Sequence, residues 1–166
     1  IATGSVNSMH DSYMPLSGMN MLLAMMINCF YGGVGVGILN YLVFIILAVF
    51  ISGLMVGRTP EFLGKKIEAK EMKIAMMIAL LHPLLILTGT ALTAYQPEFG
   101  TATLNNPSFH GFSEMLYEFT SASANNGSGF EGLGDNTPWW NISTGIVLAL
   151  SRFLPIIGPV AIAGLL

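Results

Sequence analysis

Two short stretches of this chain carry the residue types that hold a cation without a charged ligand. Ala2-Thr3-Gly4-Ser5-Val6-Asn7 and Asn126-Gly127-Ser128-Gly129-Phe130 are small, polar and centred on glycine. Glycine takes backbone angles that aim successive carbonyls the same way. Rings of such carbonyl oxygens replace the hydration shell of K+ at little net cost. Aligned on Gly4-Ser5 and Gly127-Ser128, the stretches read as two copies of one unit, each ahead of an interrupted apolar helix, the mark of an internal repeat. The competing reading of 121–130 is an ordinary external loop, since Gly- and Asn-rich loops are common. A pore of this kind needs about four such segments around an axis, and this chain holds two.

The elements that must position these segments are apolar. Only six Lys or Arg and nine Asp or Glu occur in 166 residues, 9% charged, against about 25% in soluble domains. No Asp, Glu, Lys or Arg interrupts Ser12 to Gly57 or Ile74 to Pro97, and Arg152 alone interrupts Asn136 to Leu166. Since a membrane-crossing helix needs about 20 apolar residues, the composition specifies an all-α membrane protein. Met19 to Gly57 is too long for one straight span, and the glycines between Gly32 and Gly37 break it into halves of about 13 and about 20 residues. The second unit runs from Ile74 to about Tyr95, with a kink expected at His82-Pro83. The third runs from the Trp139-Trp140 pair, placed at the interface, to Leu166, with Pro155 and Pro159 expected to bend or end it. Between these units a helix is expected over 109–119, too short to span. With the polar run 121–130 it forms a re-entrant hairpin, because irregular backbone at membrane depth survives only where protein or a water-filled path solvates it.

Charge placement gives the topology. Arg58, Lys65, Lys66, Lys70 and Lys73 cluster in 58–73, whereas 95–138 holds Glu98, Glu114, Glu118, Glu131 and Asp135 and no Lys or Arg. The positive-inside rule puts 58–73 in the cytoplasm and 96–138 outside. An amphipathic helix resting Phe62, Leu63, Ile67 and Met72 on the membrane is compatible with 58–73. Arg152 is the costly residue, at least about 2.5–3.5 kcal/mol at the centre of a membrane helix. It is expected to face the pore below the polar segments, holding the glycine break or repelling cations from it. The plainer alternative is snorkelling or a packing contact with a carbonyl.

Other chemistries find little support. A net charge of −3 with no basic stripe argues against nucleic-acid binding. The lone Cys29 provides neither a disulfide framework nor a cysteine metal site, and His10, His82 and His110 are too scattered for a transition-metal site. Glu114 and Glu118, at i,i+4, either attract cations at a mouth or form a solvated face. Asn40 is placed to bond across helices, with no partner identifiable. The chain starts at Ile1 without a basic n-region and cleavage site and reads as the interior of a longer polypeptide. No phosphate-binding Gly-x-x-x-x-Gly-Lys loop or phosphorylated-Asp context is present, so ATP hydrolysis belongs to another chain.

Several runs are more specific than composition. They are Thr3-Gly4-Ser5-Val6-Asn7-Ser8-Met9-His10-Asp11-Ser12, Tyr31 to Gly37, Gly53 to Ile67 with its Gly-Arg-Thr-Pro-Glu-Phe-Leu-Gly-Lys-Lys-Ile stretch, His110 to Glu114, and Asn125-Asn126-Gly127-Ser128. From end to end the chain closely resembles the C-terminal half of the KdpA family, the potassium-binding, channel-like subunit of Kdp potassium-transporting ATPases. The resemblance implies helix–pore-loop–helix repeats of the potassium channel and transporter type. Residues 1–57 would hold the third filter and its broken inward helix, 58–73 a basic cytoplasmic linker, and 74–166 the fourth repeat. It also implies that Thr3, Gly4 and Ser5 supply third-repeat filter carbonyls and that Asn125, Asn126, Gly127 and Ser128 supply the fourth. Gly32, Gly33, Gly35 and Gly37 would form an intramembrane gate loop beneath the filter. The implied partners are an ATP-hydrolysing P-type ATPase subunit, small accessory subunits and membrane lipid, in a bacterial inner membrane. K+ would be the transported ion, with no covalently bound cofactor. Thr3 stands where some members carry Cys, and 121–129 lacks their run of three Asn. A secondary cation transporter with discontinuous helices is the alternative, followed by a non-conducting scaffold.

Overall fold

A computed structural model describes residues 3–31, 33 and 35–166. The protein is an all-α membrane protein, with five α-helices among the described residues: α1 (Pro15–Tyr31), α2 (Val36–Val56), α3 (Ala69–Tyr95), α4 (Phe109–Ala124) and α5 (Pro138–Leu165). Three of these, α2, α3 and α5, are long and apolar enough to cross a membrane. The sole sheet among the described residues is a two-stranded hairpin, β1 (Glu61–Phe62) with β2 (Lys65–Lys66).

The break between α1 and α2 falls in the glycine run. Gly33 and Gly35 carry φ of 91° and 84°, a region closed to most side chains, so the helix stops there and restarts at Val36. Gly37 is not in that loop; it lies in the first turn of α2, where a Cβ would strike the Tyr31 carbonyl oxygen at 2.5 Å. Gly32 lies outside the described residues. Helix α2 ends on Gly57, left-handed at φ 72°, whose N–H reaches the carbonyls of Gly53 and Leu54, while Arg58 N–H bonds Gly53. This is a Schellman-type stop.

The amphipathic helix with which the 58–73 pattern is compatible does not form across its first part. Pro60 and Gly64 favour a hairpin, closed by Leu63 and Gly64 at φ 51° and 76°, the mirror-image turn suited to two-residue hairpins. Leu63 is exposed at its tip, Ile67 is buried and Phe62 packs on the core. Helix α3 then starts at Ala69 rather than Ile74, behind a capping box in which Glu68 N–H donates to Glu71 Oε2 at 2.8 Å. It continues through Pro83, and α5 through Pro155 and Pro159, so neither helix ends at its prolines.

Two apolar clusters hold the molecule. One surrounds α4 and joins Met25 and Cys29 of α1, Ile86 of α3 and Trp140 and Val147 of α5. The other joins Val43, Ile46 and Leu47 of α2 with Ala75 and Ile78 of α3 and Ile162 of α5. Close helix contacts require glycine: a Cβ on Gly89 would meet the Phe119 ring at 2.5 Å, and one on Gly158 would meet Ile78 at 2.5 Å. The Trp pair ties elements together. Trp140 is fully buried rather than interfacial and donates to Thr103 Oγ1, and Trp139 donates to Thr93 Oγ1, both at 3.0 Å.

Candidate functional site

Helix α4 is a core element, not a surface helix: ten of its sixteen residues are buried. It runs five residues past the expected 109–119, so Ser121 to Ala124 are helical and the extended part of the expected 121–130 run begins only at Asn125. Small side chains let this last turn sit among α1, α3 and α5, and Thr120 Oγ1 bonds back to the Leu116 carbonyl at 2.6 Å. Asn125 ends the helix in the left-handed region, φ 60°, its N–H on the Ala122 carbonyl. Asparagine is among the few non-glycine residues that take this conformation readily.

Beyond the cap, Asn126 and Ser128 are tied down. Asn126 Oδ1 accepts from Ser121 Oγ at 2.7 Å and from Ser128 N–H at 3.2 Å. Its Nδ2 lies 2.9 Å from the Met25 sulfur of α1. The buried Ser128 hydroxyl meets the Tyr117 hydroxyl at 3.0 Å. Gly127 between them is exposed, with φ 74°.

The N-terminal segment meets this turn directly. Gly4 has φ 67°, and a Cβ built on it would lie 2.0 Å from the Asn126 carbonyl oxygen. Two glycines far apart in sequence therefore share a left-handed backbone, and one packs on the carbonyl that precedes the other. Gly4, Ser5, Asn126 and Ser128 border an open basin of about 450 Å³, with Asn28 and Tyr31 of α1 below. Thr3 and Ser5 are exposed in this chain. The C-terminal end of α4 points the negative end of the helix dipole at this region, which favours a cation.

Arg152 reaches the same turn from α5. Its Nε donates to Asn125 Oδ1 at 2.9 Å, while Asn125 Nδ2 donates to Ser151 Oγ at 2.8 Å and to the Ser123 carbonyl at 3.0 Å. The arginine thus contacts the helix cap next to the Asn126–Ser128 turn. Behind the cap, His82 Nδ1 of α3 meets Ser123 Oγ at 2.8 Å. Asn40, on α2, is buried with neither amide atom bonded among the described residues. Glu118 stands behind the turn, its Oε2 2.9 Å from where a Cβ on Gly129 would lie.

A second polar group, not foreseen as a unit, sits at the N-terminal end of α4. Asp11, His110 and Glu114 place ligand-type atoms within 4.8 Å of one another. Their capacity is taken up by hydrogen bonds. Asp11 Oδ2 accepts from Asn105 and Asn106 Nδ2, and Oδ1 lies 3.0 Å from His110 Nε2. Fully buried Glu114 accepts from the N–H groups of Asn105 and Asn106 at 3.1 and 3.0 Å, so it is neither a solvated face nor a free mouth charge. Burial pushes the Asp11 carboxyl up, but the bonds from Asn105, Glu114 and His110 outweigh it and leave it below its ordinary range. Glu114 is raised, by burial first and then by the adjoining Asp11 carboxylate. About a hundred positions of sequence separate Asp11 from its partners, and no local pattern signals the pairing.

The model of the potassium-transporting ATPase A subunit, KdpA, matches residues 1–166. A potassium-transporting ATPase potassium-binding subunit from Flavobacterium johnsoniae is 73% identical over 177 residues, covering 100% of this chain and 31% of its own length. Proteins of the same description from Phocaeicola vulgatus and Geobacillus kaustophilus are 67% and 57% identical, covering 99% and 98% of this chain and 30% and 29% of themselves. The chain spans about a third of the length of these relatives. With a full-length family match and identities this high, the chain belongs to the KdpA family of potassium-transporting ATPase A subunits.

Proposed function

We propose that this chain supplies two of the pore-lining segments of a subunit that binds potassium and passes it across the membrane. The observation that carries this reading is the contact of Gly4 with the Asn126 carbonyl, with Gly4 and Gly127 both left-handed. Small left-handed turns at the end of a buried helix present backbone oxygens, and backbone oxygens select K+. In this reading the carbonyls of Thr3, Gly4, Ser5, Asn125, Asn126, Gly127 and Ser128 are the selecting ligands. The glycine break between α1 and α2, with Gly33 and Gly35, is the gate loop. Arg152 holds the Asn125 cap in place and limits how far a cation travels toward the inner side.

The relatives are named as subunits of a potassium-transporting ATPase, and this agrees with a chain that depends on a P-type ATPase subunit and small accessory subunits for its energy. In this reading the basic 58–73 segment lies in the cytoplasm and 96–138 on the outer side of a bacterial inner membrane, as its charge asymmetry supports. Lys65 Nζ beside the Leu166 carbonyl, at 2.9 Å, agrees with this by putting the hairpin and the end of α5 at one end of the molecule. The bonds from Asp11 to 105–110 put the polar segments and the long loop at the other.

The test is ATPase activity of the intact complex built on the full-length polypeptide. Stimulation by K+ and its loss on Gly127→Ala support the reading. Activity indifferent to K+, or K+ uptake that persists without ATP, overturns it and favours the secondary transporter.

A further inference from the structure

The segment that carries Gly4 has little of its own to hold it. Among the described residues no backbone–backbone hydrogen bond involves Gly4 to Ser8, and the first internal ones are at Met9 and His10. Yet its Gly4 meets the Asn126 carbonyl closely enough that no Cβ fits. Something must fix that approach, because extended chain without partners samples many conformations.

We propose that Asp11 is the positioning residue for ion selection, locking the Gly4 segment in register with the Asn126 turn through side chains of the 105–110 loop and helix start. Its carboxylate is buried and accepts from Asn105 Nδ2 at 2.8 Å and Asn106 Nδ2 at 2.9 Å, with His110 Nε2 at 3.0 Å. Glu114 clamps those same two asparagines by their backbone N–H groups, so the donors are rigid before Asp11 meets them. The 130–134 turn closes over the carboxylate: a Cβ on Gly132 would fall 2.2 Å from Asp11 Oδ2. The adjoining residue is held the same way, with His10 N–H donating to Glu131 Oε2 at 2.7 Å.

Hydrogen bonds to a charged acceptor are the short, strong class, and here they converge on one side chain seven positions after Gly4. Helix α4 carries Glu114 and His110 at one end and the Asn125–Ser128 turn at the other. Asp11 is thereby tied to the same rigid body that sets the second carbonyl row. Releasing Asp11 frees one end of the seven-residue tether to Gly4 and widens the range of spacings open between Gly4 and Asn126. Ion discrimination by carbonyls depends on the number and field of oxygens around the ion, so the lock acts on ion affinity rather than on turnover.

This inference rests on the functional reading above, and the experiment separates the two. In the intact complex, the K+ concentration for half-maximal ATPase activity, the maximal rate and the K+/Rb+ ratio are measured for wild type, Asp11→Asn and Asp11→Ala. Asp11→Ala is expected to raise the half-maximal K+ concentration about tenfold, lower the K+/Rb+ ratio and leave the maximal rate within about twofold, a split that reports altered binding. Asp11→Asn, which keeps one acceptor oxygen, is expected to fall between. If Asp11→Ala does not assemble, the Asn105→Ala and Asn106→Ala double variant removes two of its three partners and is expected to shift the half-maximal concentration in the same direction. An unchanged half-maximal concentration in an assembled variant overturns the inference, since a purely structural residue changes yield and not ion affinity. A wild-type complex blind to K+ overturns the functional reading and the inference with it, and is seen without any variant.

Discussion

At Gly4 and Gly127 the same substitution meets two different obstacles. Both have left-handed backbone, which costs an L-residue roughly 1–2 kcal/mol. A Cβ on Gly127 finds open space, whereas one on Gly4 enters the Asn126 carbonyl oxygen. Gly4→Ala therefore should impair K+-stimulated ATPase activity more than Gly127→Ala, with a larger rise in the half-maximal K+ concentration; equal effects would argue against the close approach. Arg152 is the other residue whose partner decides its role. It bonds the Asn125 cap, so Arg152→Ala should alter both K+ affinity and the coupling of flux to ATP hydrolysis in the complex. Unchanged flux and coupling would remove it from the ion path. The arginine was conspicuous in the sequence as a lone membrane charge, but its partner was not, since Asn125 and Arg152 meet only when α4 is inserted beside α5.

Among elements, α4 shows how a short helix becomes the centre of a membrane protein. Its Phe119 is fully buried, lies 5.4 Å from the Trp140 ring and faces Gly89 of α3. Overpacking such a contact costs about 1–3 kcal/mol, so Gly89→Ala should lower the melting temperature of the complex. Gly145 of α5 is the matched control, because a Cβ there meets nothing within 4 Å. Gly145→Ala should be neutral or stabilising by up to about 1 kcal/mol from helix propensity. The reverse order would contradict the packing described. The same packing explains the fate of the prolines: α3 and α5 continue through Pro83, Pro155 and Pro159 because neighbouring elements and the apolar surroundings leave a helix as the best-satisfied backbone.

On the scale of the whole molecule, the Asp11 and Glu114 cluster gives a pH signature. Asp11 lies below its ordinary 3.8, so its contribution is complete above that value and is lost as pH falls through the lower folded value. Glu114 lies above its ordinary 4.5, so its contribution is complete below 4.5 and is lost as pH rises through the higher folded value. The pair therefore holds this end of α4 most tightly between the two ordinary values, and loosens as pH falls through the lowered Asp11 value or rises through the raised Glu114 value. Glu114→Gln should flatten the fall in thermal stability above that range, measured on the assembled complex across pH; a fall as steep as wild type would assign the effect elsewhere. Two carbonyl segments do not enclose an axis, so the chain alone in a planar bilayer should pass no K+-selective current, and selective single-channel events would contradict that.

Membrane residence, the glycine break, the short non-spanning helix and the paired Gly-Ser turns were legible in the residues, because each depends on local composition: apolar length, φ freedom and small polar side chains. The hairpin at 61–66 was also local, in Pro60 and Gly64, although the charge and apolar pattern of 58–73 was equally compatible with an amphipathic helix. What only the tertiary structure decided was which distant groups meet. The Gly4 approach to Asn126, the Arg152 bond to Asn125 and the Asp11 lock on Asn105, Asn106 and His110 all join residues brought together by the insertion of α4 between the long helices. Periodicity and charge report which face of a segment is buried. They do not report against what, and at this site the identity of that neighbour sets the spacing of the carbonyls.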